Sequence, residues 1–113
     1  MYTKLILFRN ELKNKQVHTY KLIGIVSELI FSKEVFQKNK DISTFTQDVF
    51  NITYKDYVVK SRTMVVAKIS RLLHLCDNET MYNEKLLIFI NETIEKFKTN
   101  EKEQKSSLIG WIK

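Results

Sequence analysis

VVKSRTMVVAKISRLLHL, residues 58–75, sets apolar and basic residues side by side at helical spacing. Val65, Ile69, Leu72, Leu73 and Cys76 recur every three or four positions, which predicts a core stripe on a helix over residues 62–76. Ser61 stands where a side-chain oxygen can accept a first-turn backbone N–H, so it is the expected N-cap. Lys60, Lys68 and Arg71 fall within about a quarter turn of one another and flank the stripe. Lys55 and Arg62 lie just before or at the helix start, where free N–H groups and the helix dipole favour an anion. The helix is therefore either a core element with an ordinary solvated face or a helix that grips phosphate, and spacing alone leaves both open.

On either side the chain reads as further helices. Residues 2–14 place Leu5, Phe8 and Leu12 on one side, with Lys4, Arg9 and Lys13 largely opposite. Residues 17–36 carry Tyr20, Leu22, Ile23, Ile25, Val26, Leu29 and Ile30, a stripe wide enough to predict a central helix covered on most sides. Gly24 within it costs about 1 kcal/mol relative to alanine, which leads us to expect another helix in close approach there. Asp41 or Ser43 is the expected cap of a helix over 43–53, and Tyr54 to Lys60 reads as a mixed connection. Asp77 or Asn78 would cap a last helix over 79–98, where Tyr82, Leu86, Phe89, Ile90, Thr93, Ile94 and Phe97 keep the 3.6 period. The expected buried set is Ile23, Val26, Ile30, Phe45, Phe50, Val65, Ile69, Leu72, Phe89 and Ile90.

The predicted fold class is all-α, a single small bundle of four to five helices. Its domain covers residues 1–98, followed over 99–113 by a polar linker and an apolar C-terminal tail, LIGWIK. A length of 113 residues fits one core. The chain has no proline, and its only glycines are Gly24 and Gly110, so there is little from which to build tight hairpins. Cys76 is the only cysteine and cannot close an internal disulfide. The apolar run from Leu5 to Phe8 is too short for a secretory leader, so the expected location is the cytoplasm, where Asn51, Asn78 and Asn91 in Asn-x-Thr would not be glycosylated.

The net charge of +6 is uneven: residues 1–76 hold 13 Lys/Arg against 6 Asp/Glu, and residues 77–113 hold 6 against 7. A basic partner-facing surface would thus belong to the first two thirds, although a Lys-rich composition from AT-rich coding explains the charge equally well. Catalytic constellations are not apparent. His74 and Cys76, two apart on a helix, point to different faces and find no second ligand pair for zinc. His18 has no acid or nucleophile beside it, and two glycines 86 positions apart cannot form a phosphate loop. No metal, no cofactor, no small-molecule substrate and no enzymatic activity are expected.

In order, HTYKLIGIVSELIF, DISTFTQDVFN, YKDYVVK and SRTMVVAKISRLLHL resemble the parts of the N-terminal core-binding domain of tyrosine recombinases, the helical SAM-like phage-integrase module. The match covers rather more than half the chain. The family's catalytic half, with its Arg, His-x-x-Arg and nucleophilic Tyr, has no room here, so strand cleavage is not implied. Stand-alone members, such as swarming motility regulators of the SwrA type, also lack that half. The resemblance implies a non-catalytic protein that binds duplex DNA, a transcription regulator or another acidic protein surface. It assigns phosphate or partner contacts to Lys55, Lys60, Arg62, Lys68 and Arg71.

A second stretch, VVAKISRLLHLCDNETMYNEKLLIFINETIE, together with KSSLIGWIK, resembles the third-to-fourth helix region and tail of cytoplasmic immunity proteins against pediocin-like bacteriocins, which are four-helix bundles. That alternative implies a membrane sugar transporter held by a bacteriocin as the partner. Its working residues would be Leu108, Ile109 and Trp111 in the tail.

Overall fold

The computed structural model describes residues 1–14, 17–76 and 80–112, with side chains of the last helix described over residues 82–99. Six helices and no strand occur among the described residues: α1 Tyr2–Leu12, α2 Thr19–Phe31, α3 Asn39–Phe50, α4 Asp56–Val59, α5 Arg62–Leu75 and α6 Thr80–Ile112. The regular structure of the described residues is thus all helical, as expected, with α4 a single turn in the segment read as a mixed connection. Val58 and Val59 account for that turn, because both are buried and pull the connection against the bundle. No described helix is long and apolar enough to cross a membrane.

Helix α2 packs on α5, while α6 receives α1 on one side and α3 on another. Leu5, Leu22, Leu29, Ile30, Ile42, Phe45, Val65, Ile69, Leu86 and Ile90 form the innermost contacts. Where α3 meets α6, an aromatic chain runs through the core. Phe45 lies 4.6 Å from Phe89 and 5.2 Å from Phe36 between ring centroids, and Phe50 stands 5.1 Å from Tyr82. Tilted pairs at such distances are favoured by the ring quadrupoles beyond the area they bury. Of the expected buried set, Val26, Ile30, Phe45, Phe50, Val65, Ile69 and Ile90 are buried, whereas Ile23, Leu72 and Phe89 are only partly so and pack against the core edge.

Several boundaries move. The second helix ends at Phe31, not 36: Ser32 is extended, and its hydroxyl accepts the Val35 N–H at 3.3 Å, fixing a turn in place of a fourth helical repeat. Phe36 is still delivered to the core, from that turn. The third helix begins at Asn39, four residues early. Asp41 acts from inside it, accepting the Lys38 N–H at 3.4 Å, and neither it nor Ser43 is the N-cap. It ends at Phe50 because Asn51 turns left-handed, φ 57°, a conformation that asparagine adopts at modest cost. The fifth helix starts at Arg62 as expected, with Ser61 Oγ accepting the Met64 N–H at 3.2 Å. The last helix runs on to Ile112, so the backbone of the predicted linker and tail is helical. The capping assigned to Asp77 or Asn78 and the docking assigned to Leu108, Ile109 and Trp111 lie outside the described residues and side chains.

The central helix is covered less than its composition predicts. Tyr20, Gly24 and Phe31 form an exposed stripe along it, with Tyr20 70% and Phe31 51% accessible. A Cβ added at Gly24 would meet nothing within 4 Å, so no helix approaches closely there and the expectation of one is corrected. Gly24 carries only its entropic cost. Replacing it with alanine should therefore raise unfolding stability by about 0.5–1 kcal/mol, read as a shift in urea midpoint at constant m value. A loss of stability would mean that the site is more crowded than this.

Candidate functional site

The five basic residues singled out in the sequence do not form one surface. Arg62 enters α5 at the register of Val65, Ile69 and Leu73, the three buried residues of that helix, and so faces inward. Its Nε donates to Asn39 Oδ1 at 3.0 Å. Nη1 donates to the carbonyls of Ile30 at 2.9 Å and Ser32 at 3.2 Å, and Nη2 donates to the carbonyl of Phe36. Asn39 in turn donates through Nδ2 to the Lys60 carbonyl at 3.0 Å. One guanidinium thus ties the open C-terminal carbonyls of α2, the turn after it and the first residue of α3 to the start of α5. The last carbonyls of a helix have no partner within it and carry the negative end of its dipole, which suits a planar cation with five donors. Arg62 is accordingly directed into the fold and away from any phosphate outside it.

The other four are exposed: Lys55 as the N-cap and Lys60 as the C-cap of α4, Lys68 and Arg71 on the outer face of α5. Among the described residues the ion pairs are Met1 amine with Glu34, Lys4 with Glu28 and Lys98 with Glu95, so these four face no carboxylate at pairing distance.

Lys68 and Arg71 are brought together on an open groove of about 490 Å³, with Ile52 and Tyr54 on one side and Met64, Ala67, Leu72 and Leu75 along α5. Met64 is 40% and Leu75 68% accessible, so the groove is apolar as well as basic. Burial pushes the Tyr54 hydroxyl above its ordinary pKa, with the nearby Tyr82 adding to the shift. Tyr82 moves the same way, again through burial first and Cys76 second. At neutral pH Tyr54 is therefore uncharged and adds no negative charge to the groove it lines.

The sequence reading took the basic members of this face and missed the apolar ones. Their signal was present: Met64, Lys68, Arg71 and Leu75 recur at spacings of four, three and four, giving α5 a second stripe opposite its core. No three His, Cys, Asp or Glu side chains among the described residues are grouped to hold a metal ion. Comparison with protein-family models, with curated proteins and with solved structures finds no match to this chain.

Arg62→Met keeps the aliphatic stem and removes the donors, leaving the carbonyls of Ile30, Ser32 and Phe36 to whatever water can reach them. Denaturant unfolding should show a loss of about 2–4 kcal/mol. Arg62→Lys should recover less than half of it, because an ammonium cannot span four acceptors in the fork geometry. Wild-type stability in the methionine variant would remove the guanidinium from the account of the fold.

Proposed function

We propose that the protein is a non-catalytic binding protein that docks on duplex DNA or on an acidic surface of a transcription regulator through the outer face of α5. The observation that carries this reading is the pair Lys68 and Arg71, exposed on one helix face, free of carboxylate partners among the described residues, with Lys60 and Lys55 exposed at the two ends of α4. Cations left unpaired in this way keep their full field for a partner. The order α2, α3, single-turn α4, α5 supports likening residues 19–75 to the SAM-like core-binding module of tyrosine recombinases, which clamps duplex DNA through helices and phosphate contacts. Arg62, assigned a phosphate contact by that resemblance, acts instead as the latch that holds α5 in place, and the binding role rests on the remaining four.

Salt dependence measures the contacts directly. Neutralising Z phosphates lowers log K by about 0.9Z per decade of salt, so four contacts predict a slope near −3.6 in a gel-shift titration of a 20-base-pair duplex. Lys68→Glu with Arg71→Glu should at least halve that slope and weaken binding by tenfold or more at low salt, with far-UV circular dichroism unchanged. Undiminished duplex binding by the double variant would take the α5 face out of the proposal.

A further inference from the structure

The apolar residues in the groove refine this reading. A surface that meets only a phosphate backbone has no use for Leu75 and Met64, which contact with a sugar-phosphate chain would strip of water without offering an apolar partner in return. Both are large, both are exposed, and both line the groove. Residues 64 and 75 are separated by eleven helical steps, about 16 Å along the axis, or three turns. Between them Ala67 keeps the wall low, and the ring of Tyr54 supplies the facing edge. Methionine and leucine walls that accept a helix in a groove, with charges of one sign along the rim, form a recurrent mode of peptide recognition.

Resting on the proposed function, we infer that the occupant of the α5 groove is an acidic amphipathic helix of a partner protein. It presents apolar side chains at i, i+4, i+7 and i+11 over about three turns, with Asp or Glu on its flank toward Lys68 and Arg71. Charge complementarity selects this occupant. The described groove lining contains two cations and no carboxylate, and its tyrosine remains neutral. A basic or neutral helix of the same apolar pattern gains no Coulomb term there and is repelled in the first case. The Coulomb term sets partner choice, while the apolar contact of Met64 and Leu75 sets how long the complex lasts.

The test uses a synthetic 16-residue helical peptide with leucine at i, i+4, i+7 and i+11 and glutamate on its flanks, beside the same peptide with lysine for glutamate and a 20-base-pair duplex. Methyl resonances of Met64 and Leu75 in the full chain report occupancy. The acidic peptide should shift both methyls and the lysine peptide neither. Leu75→Ser, at an exposed position, should weaken the acidic peptide tenfold or more while leaving duplex affinity within twofold. If the acidic peptide leaves the methyls unmoved and the duplex binds through Lys68 and Arg71, the inference falls and the proposed function stands in its DNA form. If neither probe binds, both fall. Equal binding of the acidic and lysine peptides would overturn the charge selection and with it the assigned occupant.

Discussion

The arrangement depends on where one guanidinium points. Arg62 is the first residue of α5, a position at which a cation opposes its own helix dipole, yet it is directed across the bundle to the C-terminus of α2, where the dipole favours it. Each of its hydrogen bonds reaches more than twenty residues back along the chain, to Ile30, Ser32, Phe36 and Asn39. The turn that presents Phe36 to Phe45 and Phe89 is therefore held from outside its own sequence. A bond to a charged donor contributes about 1.5–3 kcal/mol net, so a set of four is significant against the marginal stability of a domain this size.

With Arg62 turned inward, α5 has two working sides. The inner side carries Val65, Ile69 and Leu73 against α2 and ends in the latch; the outer side carries Met64, Lys68, Arg71 and Leu75 to solvent. A helix apolar on both faces is normally covered on both. Here no described residue closes over Leu75, and basic residues rather than an ordinary mixed-charge surface accompany the open stripe. That asymmetry is why the outer side is read as a docking face and the inner one as a support for it. The support matters, because a face that recognises a partner through spacing along three turns needs a helix whose start is fixed.

Much of this was legible in the residues. The 3.6 period located the bodies of α2, α5 and α6, and Ser61 marked the beginning of α5 because its cap bond is local. Boundaries set by local pattern alone were less secure. Val35 and Phe36 continue the apolar run of α2, so local pattern extends the helix through them, yet the helix stops at Phe31 because Ser32 turns the chain and Arg62 donates to the freed carbonyls. No window of sequence around residue 31 contains that information. Gly24 misled in the other direction: a glycine in an apolar helix reads as a close crossing, and here it faces open space. For the site, its place at the start of α5 and the recombinase resemblance give Arg62 an anion contact, although its register with Val65 and Ile69 places it on the core side. The apolar half of the groove goes unread because attention to charge takes Lys68 and Arg71 from this face and passes over Met64 and Leu75, and only the fold brings Ile52 and Tyr54 beside them.

The division between Arg62 and Arg71 can be observed in a single ¹H–¹⁵N spectrum of the arginine Nε–H groups, recorded with and without the acidic helical peptide. A donor bonded to Asn39 within the fold should exchange slowly with water and keep its shift when the peptide is added, while the Nε–H of Arg71 should exchange fast in the free protein and move on binding. The opposite pattern, a rapidly exchanging Arg62 that responds to the peptide beside an unresponsive Arg71, would contradict the account at its root.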